Sequence, residues 1–217
     1  MHYKAIIFDL DGTLLNTLED LGDTVNLILA AKILPTHDLE AYQYFIGEGA
    51  RNLIQRALPE KERKETLIDE CFAEFNRIYA NNWKIKSKPY PGISTMLDKL
   101  SRQGISLNVL SNKPHSFTLQ CVAAMLPEWS FQVVFGQRED VPRKPDAAGA
   151  LEIAAMLGFN ANEILYMGDS ATDMKTAANA GMDAVGVTWG YRPQEELESN
   201  GAKFIIHHPE ELISLLT

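Results

Sequence analysis

The sequence predicts an α/β fold in which helices cover both faces of a parallel sheet, interrupted near its start by an all-helical unit. Three observations lead there. Short, wholly apolar runs recur along the chain, and several stop at a polar cluster. Stretches of helical periodicity separate most of these runs, the alternation that builds right-handed βαβ units. Between about residue 18 and residue 85 the helical spacing continues with no convincing strand inside it.

In chain order, Ala5-Ile6-Ile7-Phe8 is apolar at every position and ends at Asp9-Leu10-Asp11-Gly12, the profile of a strand buried on both faces. Leu18, Leu21, Val25, Ile28 and Leu29 then recur at helical spacing, as do Leu53, Ile54 and Leu58, and Leu67, Cys71, Phe75 and Ile78. Consecutive helical patterns predict a helical domain over residues 17–85, spliced into an α/β domain made of residues 1–16 and 86–217. The crossing points fall near Asn16-Thr17 and at Trp83 to Lys88. A helix over Ile93 to Leu100 follows Pro91-Gly92, and strands are predicted at Ile105 to Leu110 and Val133 to Phe135. The helix over Ala147 to Leu157 stops at Gly158, and that over Thr172 to Ala180 stops at Gly181. Strands at Ile164 to Met167, Ala184 to Val187 and Phe204 to Ile206 complete a Rossmann-like sheet.

Composition narrows the class. A chain of 217 residues can bury about 70% of its unfolded surface. A hydrophobic fraction of 46% with 23% charged residues excludes a disordered chain. The net charge of −9 and the lack of a basic stripe argue against nucleic acid as a partner. Cys71 and Cys121 make no disulfide framework and lack metal-ligand spacing. No apolar run reaches the roughly 18 residues of a membrane span, and Met1-His2-Tyr3-Lys4 carries no targeting pattern. The expectation is a soluble, cytoplasmic protein, monomer or homodimer, with no membrane partner. The five histidines show no transition-metal spacing.

Parallel sheets bind ligands at the carboxyl ends of their strands. Four polar clusters lie at or near such ends: Asp9-Leu10-Asp11-Gly12-Thr13, Ser111-Asn112-Lys113, Arg143-Lys144-Pro145-Asp146 and Gly168-Asp169-Ser170-Ala171-Thr172-Asp173. Together they offer carboxylates for a hard cation and donors for phosphate oxygens. Each has a plainer reading alone. Asp169 and Ser170 are also ordinary helix N-caps, Lys144 a solvated loop residue, and Ser111-Asn112 a turn pair. Asp9 and Asp11 resist such a reading, because two acids closing a buried strand repel unless a cation joins them.

The run Asp9-Leu10-Asp11-Gly12-Thr13-Leu14 resembles the first motif of the haloacid dehalogenase superfamily of phosphatases. Ser111, Lys144 and the 168–173 run resemble its second, third and fourth motifs, in the family's order, and the helical insertion resembles its cap. The resemblance covers nearly the whole chain and implies Mg²⁺ as cofactor and a small phosphorylated metabolite as substrate. It implies Asp9 as the nucleophile that forms an aspartyl-phosphate and Asp11 as general acid and base. Ser111, Asn112 and Lys144 would bind phosphoryl oxygens. Asp9, the Asp11 carbonyl and Asp169 would hold the metal, with Asp173 supporting the metal waters or Lys144.

The stretch Ile46-Gly47-Glu48-Gly49-Ala50-Arg51 resembles the cap loop of the phosphoglycolate phosphatase branch. That makes Gly47, Glu48, Gly49 and Arg51 candidates for substrate choice, and 2-phosphoglycolate the first substrate candidate. Arg51, the loop's only cation, could hold a substrate carboxylate through two parallel hydrogen bonds; equally, it could sit on the solvated helix face, paired with Glu48. Other readings stay open: a β-phosphoglucomutase-like phosphotransferase, a pyrophosphatase or nucleotidase of the superfamily, and a non-enzymatic phosphate-binding module. Val187-Thr188-Trp189-Gly190-Tyr191 also resembles that branch, but no role for Trp189-Gly190-Tyr191 follows from sequence.

Overall fold

The structure, a computed structural model, describes residues 3–216. The chain forms β1 (Ala5–Phe8), β2 (Leu15–Asn16), α1 (Leu18–Ala31), α2 (Leu39–Phe45), α3 (Ala50–Ala57) and α4 (Glu65–Asn82). It continues with β3 (Lys88–Pro89), α5 (Ile93–Arg102), β4 (Ser106–Pro114), α6 (His115–Met125), β5 (Phe131–Gln137) and α7 (Ala148–Leu157). It closes with β6 (Ile164–Gly168), α8 (Ala171–Ala180), β7 (Asp183–Val187), α9 (Gln194–Ser199) and β8 (Phe204–Ile206). Six strands make one parallel sheet in the order β5-β4-β1-β6-β7-β8.

The apolar runs follow from burial on both faces. Ile6 and Phe8 of β1 join the apolar cluster on one side, Ala5 and Ile7 the cluster on the other. In β6, Leu165 and Met167 divide from Ile164 and Tyr166 in the same way. Successive strand side chains point to opposite faces, so such strands have no polar position. α5 and α6 cover the first face through Met96, Leu97, Phe117 and Cys121. α7, α8 and α9 cover the second through Ile153, Met174, Ala177 and Leu197. From β1 the chain builds outward through β4 and β5, then returns to β6 on the other side of β1. The crevice at that reversal, above the carboxyl ends of β1 and β6, is where open α/β sheets bind ligands.

Residues 18–82 hold four α-helices and no strand. They leave and rejoin the sheet through β2 and β3, which pair antiparallel as Leu15↔Pro89 and Asn16↔Lys88. Asp20, in the first turn of α1, accepts hydrogen bonds from the Lys86 and Ser87 amides (3.0 and 2.8 Å) and from the Ser87 hydroxyl (2.7 Å), tying entry to exit. Leu21, Val25, Tyr42, Leu53, Phe75 and Tyr79 pack these helices into the same cluster as the first sheet face.

Three features depart from the sequence expectation. β4 runs to Pro114, so Ser111, Asn112 and Lys113 lie within the strand, where its register against β5 shifts; such an irregularity re-aims side chains at a strand end. α6 was not anticipated because it has no clean apolar stripe: Cys121 and Val122 are buried while Leu119 is exposed. The ribbon of β2 and β3 and the short α9 are too brief to leave a periodic signal.

Candidate active site

Asp9 follows β1, and its amide donates to the Met167 carbonyl of β6 (2.9 Å), so the carboxylate sits at the sheet's reversal point. The chain turns at once: the amides of Thr13, Leu14 and Leu15 all donate to the Leu10 carbonyl. Gly12 has φ +89°, and a Cβ there would lie 2.4 Å from Asp169 Oδ2. At Gly190 a Cβ would lie 2.2 Å from Asp169 Cβ. Both glycines therefore make the space that Asp169 occupies. Asp9 and Asp11 line one cavity. The tight turn after β1 brings them there.

Three carboxylates converge, and two of them meet one lysine. Oxygens of Asp9, Asp169 and Asp173 all lie within 4.8 Å of one another, and all three residues are buried. Lys144 Nζ is 2.9 Å from Asp9 Oδ1 and 2.7 Å from Asp173 Oδ1. Asp169 accepts from the Thr13 hydroxyl (3.0 Å) and the Tyr191 amide (2.8 Å). Asp173 accepts from the amide and hydroxyl of Ser170 (3.1 and 2.6 Å), closing a capping box at the start of α8.

Burial, with Asp173 and Asp169 nearby, pushes the Asp9 carboxyl up to about 8 against the pull of Lys144. Burial and Asp173 push Asp169 up to about 7. Although burial disfavours its charge, Lys144 is held well above its usual value by Asp173 and Asp9. Three buried acids beside one ammonium ionise together only when a further cation joins them, and their hard oxygen donors fit a divalent cation such as Mg²⁺.

A second cluster lies beside the first. Lys113 Nζ is 3.1 Å from both carboxylate oxygens of Asp11 and donates to the Tyr79 hydroxyl of α4 at 2.8 Å. The Thr17 hydroxyl also donates to Asp11 (2.7 Å). Asp11 is thus held by a cation and a hydroxyl, outside the cluster of three acids. Asp9, Asp11, Ser111, Asn112 and Lys113 form the polar side of a cavity of about 40 Å³, room for a group of a few heavy atoms. Its other walls come from Gly47 and Gly49 and from apolar side chains of α1, α3 and α4.

Asn112 uses its side chain on the backbone. Its amide donates to the carbonyls of Lys144 (3.1 Å) and Gly47 (3.0 Å), and its oxygen accepts from the Lys144 amide (2.9 Å). It brackets the segment carrying Lys144 and anchors the 46–49 loop. The sequence marked Arg143, Trp189 and Tyr191 without giving them a part in this frame, and did not mark Arg192. Trp189 Nε1 donates to the Thr13 carbonyl (2.9 Å), and the Thr17 amide donates to the Tyr191 hydroxyl (3.2 Å). Arg192 donates to the carbonyls of Gln43, Tyr44 and Ile46, and Arg143 to that of Glu48 (2.9 Å).

Of the four residues proposed for substrate choice, Gly47 and Gly49 line the cavity. Glu48 and Arg51 do not. The Glu48 side chain pairs with Arg56 at 2.5 Å. Of its two readings Arg51 takes the solvated helix face, but its guanidinium pairs with Glu65 and with Asp69 (2.9 Å) on α4 rather than with Glu48. As the second residue of α3, it faces α4 rather than the cavity, and the acids there complete its charge.

A model of the haloacid dehalogenase-like hydrolase family matches residues 6–187. A phosphoglycolate phosphatase of Mesorhizobium japonicum is 34% identical over 209 residues, which cover 95% of this chain and 92% of that one. One from Mannheimia succiniciproducens is 33% identical, with 99% of this chain and 98% of that protein covered. Among solved structures, a predicted phosphoglycolate phosphatase from Haemophilus somnus superposes with a TM-score of 0.93 at 28% identity, covering 100% of this chain and 99% of its own.

Proposed function

We propose, from the premise that this chain belongs to the haloacid dehalogenase-like hydrolases and is a phosphatase, that it hydrolyses a small phosphomonoester through an aspartyl-phosphate on Asp9. 2-Phosphoglycolate is the first substrate candidate, on the strength of relatives of that activity at about one-third identity across nearly the whole chain. The observation that carries the mechanism is the meeting of Asp9, Asp169, Asp173 and Lys144 beside the cavity that Asp9 lines.

Each residue then has a task. An Asp9 oxygen attacks phosphorus as the bond from phosphorus to the ester oxygen breaks, and protonated Asp11 gives that oxygen its proton. In the second half, ionised Asp11 takes a proton from water, whose oxygen bonds to phosphorus while the bond to Asp9 breaks. Phosphate leaves and Asp9 is restored. Ser111 and Lys144 hold phosphoryl oxygens, and Asn112 sets Lys144 in place. Asp9 and Asp169 with the Asp11 carbonyl would hold Mg²⁺, Asp173 supporting them through Lys144; bound there, the ion screens the phosphoryl charge so that a carboxylate can approach it. Residues 17–85 act as a cap, which Asn112, Arg143 and Arg192 fasten over the site and which excludes water from the reaction.

A panel of phosphomonoesters assayed with Mg²⁺ and with EDTA tests this reading. Phosphate release with Mg²⁺ and none with EDTA is expected, and β-glucose 1-phosphate should give phosphate rather than glucose 6-phosphate. Because raised carboxyls keep their protons below about 7 to 8, protons compete with the ion. Mg²⁺ affinity should therefore rise between about pH 6 and pH 8. Full turnover in EDTA overturns the metal assignment, and no turnover across the panel overturns the reaction.

A further inference from the structure

With Arg51 turned away, Lys113 is the one cation among the described residues lining the cavity. It is buried, and its ammonium spans two parts of the molecule: Asp11 after β1 and Tyr79 on α4. Tyr79 stacks on Phe75 at 5.0 Å between ring centroids, and the Lys113 ammonium lies 4.8 Å from the Tyr79 ring centroid. That aromatic wall fixes where the charge sits. The catalytic plan needs Asp11 free to give and take a proton at the leaving oxygen, yet here both its oxygens are held by Lys113. Away from the polar side made by Asp9, Asp11, Ser111 and Asn112, the side chains facing the cavity are apolar ones, Leu21, Ile46, Ala50, Leu53, Phe75 and Pro114, beside the ring of Tyr79. A polyhydroxy leaving group would lose its water there without gaining partners. A short chain ending in an anion would meet one buried cation.

We propose that Lys113 reads the non-phosphate end of the substrate, exchanging part of its ion pair with Asp11 for one with a carboxylate next to the ester-bearing carbon. This rests on the phosphatase reading above and deepens it: the preferred substrates are small phosphomonoesters with a second anionic group. Binding and chemistry are linked by the same exchange, since the carboxylate that takes up Lys113 loosens its hold on Asp11.

The test compares 2-phosphoglycolate with ethyl phosphate, which carries a methyl group where the former has its carboxylate. Wild-type protein should favour the carboxylate substrate in kcat/KM by at least about tenfold, as expected for a charge-assisted hydrogen bond. In Lys113→Met the cation that holds Asp11 is gone for both esters alike, so the ratio of their kcat/KM values, not either rate alone, is the readout. Their ratio should fall roughly 10- to 100-fold, mostly through KM for 2-phosphoglycolate, and Lys113→Arg should restore part of it. A wild-type ratio near one, or an unchanged ratio in Lys113→Met, overturns the proposal while leaving a working phosphatase. No wild-type turnover on either ester fails the phosphatase reading instead. If Lys113→Met does not fold, Tyr79→Phe takes its place. It keeps the cation but removes the hydroxyl that orients it, and the ratio should drop by about threefold; an unchanged ratio overturns the proposal.

Discussion

The floor and the roof of the site are built on different principles. The floor consists of side chains at strand ends: Asp9 after β1, Asp169 after β6, and Lys144 bracketed to Asn112 on β4. Backbone hydrogen bonding across the sheet fixes their spacing, so local sequence carries their geometry. The roof consists of residues from α1, α3 and α4 brought together only by packing. The contrast teaches that reaction type is written into contiguous motifs, whereas substrate choice depends on which helix faces the crevice. The two regions meet in one pair, Asp11 of the floor and Lys113, which also bonds to the roof through Tyr79.

The sharpest test of the floor is Asp9→Asn. The amide has nearly the same shape but cannot attack phosphorus, so turnover should fall by roughly 10⁴-fold or more, the scale of a lost nucleophile. The fold should hold, and the metal-free protein should melt no lower than wild type. One of three crowded buried carboxylates is gone, and Lys144 keeps Asp173 as its partner. Rates above a few per cent of wild type, measured by phosphate release, would remove Asp9 as nucleophile.

Asp11→Asn probes the pair where floor and roof meet. Loss of general acid and base catalysis should cost about 10²–10⁴-fold in turnover. Mg²⁺ affinity, read by titration, should change little, because the side chain faces Lys113 and Thr17 rather than the three acids. With a good leaving group, Asp9 can still be phosphorylated while hydrolysis lags, so a burst of leaving group is expected. A large loss of metal affinity would instead make the Asp11 side chain a ligand.

The same contrast explains what could be read beforehand. The parallel sheet was legible because strands such as β1 and β6, buried on both faces, leave unbroken apolar runs, and the acids that stop two of those runs mark the crevice. Lys113 was visible as a residue but not as a site. Its partners Asp11 and Tyr79 lie on other elements, and no spacing rule links position 113 to position 79. Trp189 and Tyr191 were equally opaque, since their bonds reach Thr13 and Thr17 at the opposite end of the chain. Arg51 misled because a lone cation in a glycine-rich loop resembles an anion site, while the acids that satisfy it, Glu65 and Asp69, come from the next long helix.

Arg51→Ala should therefore produce the smallest effect, and its smallness is informative. The guanidinium is partly exposed and bound to two acids that are more exposed still. Surface pairs of this kind contribute about 0.2–1 kcal/mol, because water screens them and two long side chains must be ordered. For a chain of this length, that is a melting shift of at most about 4 °C. Neither 2-phosphoglycolate nor ethyl phosphate meets Arg51 in the cavity, so kcat/KM should stay within about twofold for both and their ratio should not move. Lys113→Met moves that ratio with a single buried cation, so the two substitutions separate charge that faces the substrate from charge that only joins two helices. A tenfold selective loss on 2-phosphoglycolate in Arg51→Ala would reverse the assignment. It would mean that α3 turns when substrate binds, breaking the pairs with Glu65 and Asp69, and that the roof recognises the carboxylate through a rearrangement of the cap rather than through Lys113.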